Sequence, residues 1–324
     1  MMLGHWRSAK VHAAMAIELG DRALTALVLV HRAGHAPEGQ LHQLALPARL
    51  MERHRVMDPA ALASLLATLR LRIGRADMQT LLAMPDSLVI SRESRLPAGL
   101  ASMAVEQHFR MLLDEMLPGE SGQLCLDYAK RQPPAQGLES WEMVACRRDC
   151  VRERTDLLAR SGFRVDVVET EAHAMQRALG WLAGMTGGNS RSGVLLALES
   201  GLQLTLWEKG VMMNRHTLSR EVLAMDAVGG MAGAAIHQFF GHAGSAAPGA
   251  APGAAPALLW YGGGLLESRP AWLMQLVPAG CRPLAELMAA HIPGLIPEGV
   301  PDTDSLTLLR LLGLALRGAG LVDD

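Results

Sequence analysis

The sequence predicts an α/β protein built as a two-lobed clamp for a nucleotide, and three segments carry that expectation. Leu258-Leu-Trp-Tyr-Gly-Gly-Gly264 reads as a buried strand running into three glycines, which lets backbone pass close to a flat or charged ligand. Two earlier segments, Ala16-Ile-Glu-Leu-Gly20 and Leu195-Leu-Ala-Leu-Glu-Ser-Gly201, each place a carboxylate two residues before a glycine at the end of a strand. Paired acidic strand ends followed by a late glycine turn are the pattern of an ATP clamp.

The elements follow in order. Met15 to Val30 is apolar on both sides of Gly20-Asp21-Arg22, as in a hairpin. Asp58-Pro59 caps a helix over Ala60 to Leu71, because Asp is a good N-cap and Pro suits the first helical position. A strand over Gln79 to Met84 stops at Pro85. From Asp86 the pattern gives a strand over Ser87 to Arg92, a helix over Leu100 to Met116, strands over Gln123 to Tyr128 and Trp141 to Cys146, and a helix over Asp149 to Ser161. This is a small inserted α+β subdomain. An alternating strand over Phe163 to Val168 and a helix over Thr170 to Met185 return to the first lobe.

Thr186-Gly-Gly-Asn-Ser-Arg-Ser-Gly193 reads as a hinge with nothing to build a core. Beyond it, Val194 to Leu198, Leu202 to Glu208 and Val211 to Arg215 form a meander that mirrors the first hairpin. A helix over Val228 to Phe240 precedes Gly241 to Ala257, a Gly, Ala, Ser and Pro run read as a disordered loop. After the glycine turn come a helix over Arg269 to Leu276, a proline-rich connection, and a helix over Asp304 to Arg317. The resulting division is 11–85 with 166–190 as first lobe, 86–165 as insert, 191–215 with 258–320 as second lobe, and 216–257 as a shortened upper subdomain.

Composition narrows the function classes. The 324 residues are 50% hydrophobic, and a formal charge of -2 supplies no basic field for nucleic acid. No apolar run reaches the roughly 18 residues of a bilayer span, and no secretory leader is evident, so the chain is expected in the cytoplasm. The cysteines Cys125, Cys146, Cys150 and Cys281 are expected to be reduced. Cys146 and Cys150 lack a second pair of soft ligands at zinc-like spacing and read as small buried hydrophobes. His31, His35 and His42 read as loop residues around a polar turn. No Ser/His/Asp or Cys/His constellation offers a nucleophile, so no catalytic residue is assigned.

The order of parts resembles the PilM family of actin-like type IV pilus assembly proteins, itself similar to the cell-division protein FtsA. The segments that carry the resemblance are Met84-Pro-Asp-Ser-Leu-Val-Ile-Ser-Arg92, Leu126-Asp-Tyr128, Val165-Asp-Val-Val-Glu-Thr-Glu-Ala-His-Ala-Met-Gln-Arg-Ala-Leu179 and Leu312-Gly-Leu-Ala-Leu-Arg-Gly318. The resemblance implies a two-lobed actin-like, ribonuclease H-like ATPase fold with an FtsA-type inserted subdomain and a reduced second-lobe subdomain. It implies ATP and magnesium between the lobes. It also implies a groove between first lobe and insert that takes the N-terminal tail of a PilN-like inner-membrane protein, with the pilus motor ATPases as further partners and self-association left open.

Carried over residue by residue, the nucleotide motifs show departures. Where the family has aspartate, then glycine, then lysine in its first phosphate turn, this chain has Glu18, Gly20 and Thr25. Where the second turn has aspartate, glycine and threonine, it has Glu199, Gly201 and Thr205, and the glycine pair expected behind Arg215 is replaced by His216-Thr-Leu-Ser-Arg220. Gly262, Gly263 and Gly264 match the adenosine turn. Glu18 and Glu199 are thus the candidate magnesium residues, acting through water, in a site expected to be weakened or lost because each longer side chain displaces its carboxylate. Two function classes follow: an adaptor peripheral to the inner membrane through its partner, with little use of nucleotide, or an ATP-dependent switch with slow hydrolysis. A component of another pilus or secretion system built on the same fold is a third reading.

Overall fold

The computed structural model describes residues 11–75, 78–135, 137–186, 191–221, 234–236, 238–240, 258–263, 281–295 and 304–322. Two five-stranded sheets form its frame. The first is built from β1 (Val11–Leu19), β2 (Ala23–Arg32), β3 (Glu38–Ala45), β6 (Gln79–Met84) and β10 (Val167–Thr170), in the order β10-β6-β1-β2-β3. The second is built from β11 (Arg191–Leu198), β12 (Gly201–Glu208), β13 (Val211–Ser219), β14 (Leu258–Gly262) and β15 (Cys281–Pro283), in the order β13-β12-β11-β14-β15. In each sheet the first three strands in sequence meander antiparallel and the last two add in parallel beside the first. The two sheets therefore repeat one topology, as the mirrored hairpins in the sequence suggest.

Strand alternation buries both faces of the first sheet. Met15, Ile17, Leu24, Ala26 and Val28 pack outward under α1 (Pro59–Ile73), which brings Leu62, Leu66, Leu69 and Ile73. Ala14, Ala16, Leu27, Leu29 and Leu81 face the opposite way, onto α4 (Glu171–Met185) and the C-terminal helix, here α6 (Ser305–Gly318). The same core takes Val194, Leu196, Trp207 and Trp260 of the second sheet and Leu284, Leu287 and Met288 of α5 (Leu284–His291). Thus α4 and α6 are shared by both lobes, although the sequence reading gives α6 to the second alone. Their crossing is close. A Cβ on Gly313 would stand 1.7 Å from the carbonyl oxygen of Ala174, so this helix contact admits glycine only.

Local capping follows the sequence. Asp58 Oδ1 accepts from the amides of Ala60 and Ala61, Thr170 caps α4, and Asp304 caps α6. Asp86–Leu88 is a 3₁₀ turn rather than strand, because Asp86 accepts from the Ala172 amide at 3.1 Å; strand β7 (Val89–Pro97) starts behind it. The insert is a three-stranded antiparallel sheet in the order β7-β9-β8, with β8 spanning Leu124–Ala135 and β9 Leu138–Arg147, covered by α2 (Ser102–Met116) through Val105, Phe109 and Leu113. Helix α3 (Arg148–Arg160) seats Leu157 and Leu158 in the first-lobe core, with Phe163. That burial of Phe163 holds 163–166 in a connection, so β10 begins only at Val167.

Other expectations are corrected. Arg191, Ser192 and Gly193 of the anticipated hinge are strand β11, because Gly193 lies against Leu259 and Phe240, with no room for a Cβ. Strand β13 runs on to Ser219, so 216–219 belong to the second sheet. His31 lies on β2 and His42 on β3, and only His35 is in the turn. Burial pulls the His42 imidazole below its ordinary pKa. Cys125 is exposed on β8, while Cys146 is buried on β9 with its thiol pushed up to about 11 by burial. The anticipated helix over Arg269 to Leu276 and loop over Gly241 to Ala257 lie outside the described residues. So does most of the Val228 to Phe240 helix, of which 234–236 and 238–240 are helical. Among the described residues no helix is long and apolar enough to cross a membrane.

Candidate functional site

Two of the three nucleotide motifs, that of Glu18 and the glycine turn at Gly262 and Gly263, meet the first turns of α6. Glu18, at the end of β1, is 8% exposed, and Arg310 reaches it from α6: Nε donates to Oε2 at 2.8 Å and Nη2 to Oε1 at 2.7 Å. Thr307 Oγ1 also donates to Oε1 at 3.3 Å. Glu171 of α4 stands 3.6 Å from Arg310 Nε. Burial pushes the Glu171 carboxyl up to about 7 against the pull of Arg310, with the negative charges of Glu18 and Asp86 adding to the rise. Burial likewise raises Asp86, offset in part by the Ala172 amide. Arg310 is raised in turn: burial works against its charge, and the Glu18 and Glu171 carboxylates outweigh that.

The glycine turn joins the same helix end. The Gly263 amide donates to Ser305 Oγ at 2.8 Å. Gly263 has φ +88°, and a Cβ there would stand 2.6 Å from the Ala197 carbonyl oxygen. Gly201 has φ +141°, with the Leu218 carbonyl oxygen 2.0 Å from its Cβ position. Chain packing against chain thus accounts for both glycines. At Gly262 a Cβ would meet Ser305 Oγ at 2.6 Å, at Gly20 it would meet the Ala23 carbonyl at 3.1 Å, and Gly264 lies outside the described residues. Thr205 is buried and accepts from Trp207 Nε1 at 2.9 Å. Glu199 is exposed at the β11–β12 turn.

Thr25 is the cross-strand neighbour of Glu18. Thr25 carries no charge, and the cation beside Glu18 is Arg310 of α6. A carboxylate engaged on both oxygens by a guanidinium does not fit a hydrated magnesium ion, since the ion pair occupies the lone pairs that would hold its waters. Among the described residues no group of three or more His, Cys, Asp and Glu side chains is arranged to hold a metal.

A second feature lies between insert and first lobe. It is a groove of about 760 Å³ bounded by β8 and β9 of the insert, by β10 and α4 of the first lobe, and by the β12–β13 turn of the second. Tyr128, Val144, Val168, Trp181, Trp207 and Met212 supply apolar wall. Three carboxylates line it: Asp127 is exposed at its edge, and Glu142 and Glu169 are each paired with cations. Ser91 Oγ donates to Glu142 at 2.7 Å, His173 Nε2 is 3.2 Å from it, and Arg131 pairs with it directly. Burial alone would raise the Glu142 carboxyl, but the His173 and Ser91 hydrogen bonds and the Arg131 charge hold it at about 2. Glu169 takes Arg177 on both oxygens, at 2.7 and 2.8 Å, and Arg317 at 3.3 Å. Such a floor is rigid and carries little unbalanced charge, which suits an apolar chain segment with a few polar groups.

Sequence reasoning named the insert boundary of this groove but none of its lining. Glu169 and His173 stand in the quoted Val165 to Leu179 segment, where charge at a buried strand-to-helix junction was the available signal. For Arg310 the signal was one cation inside the apolar run Leu308-Leu-Arg-Leu-Leu312.

Comparison with known proteins agrees with this architecture. The family profile described as type IV pilus assembly protein PilM matches residues 16–207. Among solved structures, the PilM–PilN type IV pilus biogenesis complex is similar with a TM-score of 0.63 at 19% identity, over 94% of this chain and 98% of that one. The cytoplasmic domain of EpsL, an inner membrane component of the type II secretion system of Vibrio cholerae, gives 0.45 at 14% identity, over 96% of each chain. A Bacteroides thetaiotaomicron protein with an actin-like ATPase fold gives 0.42 at 10% identity, over 89% of this chain and 95% of that one.

Proposed function

This chain belongs to the PilM family of type IV pilus assembly proteins, and on that premise we propose that it is an adaptor that holds the N-terminal tail of a PilN-like inner-membrane protein in the groove between insert and first lobe. The observation that carries this reading is the groove itself, a preformed channel with apolar walls and internally paired charges. Trp181 and Tyr128 offer flat apolar surface to an extended apolar segment, and Glu142 and His173 offer polar atoms to order backbone amides. The adaptor sits at the cytoplasmic face of the inner membrane through this partner and presents its remaining surface to the pilus motor.

Nucleotide has a subordinate place in this reading. ATP held between the lobes would supply phosphate charge to draw them together; here Arg310 already draws Glu18 onto α6, and Ser305 ties the glycine turn to the same helix. The second reading, an ATP-dependent switch, is favoured by one observation, the meeting of the Glu18 motif and the glycine turn at one helix end, and it requires the Arg310–Glu18 pair to open. Calorimetric titration with a synthetic PilN N-terminal peptide, with and without ATP and magnesium, separates the two. Peptide binding that ATP leaves unchanged supports the adaptor; peptide affinity that shifts tenfold with ATP supports the switch; absence of peptide binding overturns both.

A further inference from the structure

A second cavity, of about 750 Å³, opens where β7 and β9 of the insert meet the start of α3 and a short hairpin of the first lobe, β4 (Met51–Glu52) and β5 (Arg55–Val56). The hairpin turn is strained. Arg53 and His54 have φ +48° and +62°, the left-handed pair of a two-residue turn that ordinarily selects Asn-Gly. Two hydrogen bonds hold it: Asp21 Oδ1 accepts from the His54 amide at 2.8 Å, and Arg154 of α3 donates Nη2 to the His54 carbonyl.

Arg154 lines this cavity and is 2% exposed. Its Nη1 donates to the Cys150 carbonyl at 3.1 Å, while Nε has no acceptor; His54 Nδ1, beside it in the cavity wall, also has no partner. The acidic residues around the cavity do not complete the guanidinium. Glu153 approaches Nη1 only to 3.8 Å, Glu120 is taken by Arg147 at 3.0 Å, and Asp149 accepts from the Cys150 amide at 2.8 Å. A buried cation satisfied by carbonyls at two nitrogens and unpartnered at the third is costly to maintain, and a planar anion entering the cavity would complete it on a small shift of the side chain. Val56, Leu88 and Ile90 in the walls are apolar, which suits side chains flanking that anion better than a free inorganic ion.

We propose that this cavity is a binding site for an acidic side chain on an extended segment of a partner protein, its carboxylate meeting Arg154 and its apolar neighbours packing on Val56, Leu88 and Ile90. The site adjoins the tail groove across a wall of Val89, Ala145 and Cys146, with Arg154 and the hairpin lining this side only, so it gives the adaptor a second hand. The pinned hairpin also links it through Asp21 to the turn behind Glu18.

The test uses the full chain with labelled Val, Leu and Ile methyl groups, titrated with the tripeptide acetyl-Leu-Glu-Ile-amide and with its Gln counterpart. The expected result is saturable shifts at Val56, Leu88 and Ile90 in roughly the millimolar range, at least tenfold weaker for the Gln peptide. Arg154→Met should abolish the preference for Glu, and Arg154→Lys should keep part of it. Because Arg154 also holds the hairpin, Met57→Glu at the exposed rim provides a variant that leaves it in place, and it should weaken the acidic peptide tenfold. Equal shifts with both peptides, or no shifts, overturn the proposal. A PilN N-terminal peptide titrated alone reports separately on the tail groove, and Arg154→Met should leave its affinity unchanged; equal loss of both peptides in that variant also overturns the proposal.

Discussion

Glu18 and Glu199 occupy matching places in two sheets of identical topology, yet one is sealed in a guanidinium pair and the other stands in solvent. The difference comes from α6. Its first turns pass beneath β1 and bring Arg310 to Glu18, whereas among the described residues no cation pairs with Glu199 at the β11–β12 turn. Repetition of a topology thus repeats the position of a carboxylate without repeating its chemistry, which is set by what the shared helices bring to it.

Substitution can break this contrast. Arg310→Leu should have the largest effect, because it leaves Glu18 buried without its cation: a loss of about 3–5 kcal/mol, read by denaturant unfolding. Glu199→Ala in the same assay should stay within about 0.5 kcal/mol, and a comparable loss at both positions would contradict the asymmetry. Gly313→Ala comes next, with about 1–3 kcal/mol from overpacking the α4–α6 crossing that holds the pair in register. A Tm unchanged by this variant would mean that the helices separate freely.

The pH dependence sharpens the comparison at smaller scale. Glu171 has its folded pKa raised from 4.5 to about 7, so its contribution to stability is fully present below pH 4.5 and is lost as pH rises through 7. Glu171→Gln should therefore gain stability relative to the parent above pH 7 and match it near pH 4. Glu142, lowered from 4.5 to about 2, has the opposite sign: its stabilising contribution is present above 4.5 and is lost as pH falls toward 2. Glu142→Gln should flatten the acid limb of the stability curve. The last effect is read on binding: Trp181→Ala, half-buried in the groove wall, should weaken tail affinity roughly tenfold by calorimetry.

Much of the frame was legible before the structure because strand alternation, caps and glycine turns are local signals. Asp58, Thr170 and Gly20-Asp21-Arg22 place their elements within a residue or two. The failures have a common cause in packing. Gly193 became strand because Phe240 and Leu259 lie against it, and Phe163 stayed out of β10 because the α1–α3 core takes it. The site was less legible. Glu18 reads as a free strand-end carboxylate from β1 alone, and its partner is an arginine 292 residues away.

The sequence by itself determined the two-lobed class, the insert and the family's segment order, since these rest on periodicity and on motifs readable in short windows. Only the tertiary structure decided that Arg310 pairs with Glu18, that Glu142 and Glu169 are neutralised in a groove, and that Arg154 is buried with its Nε unpartnered. Each depends on elements distant in sequence meeting in a low-dielectric interior, where one partner sets whether a charge is stabilised, shifted or left to seek a ligand.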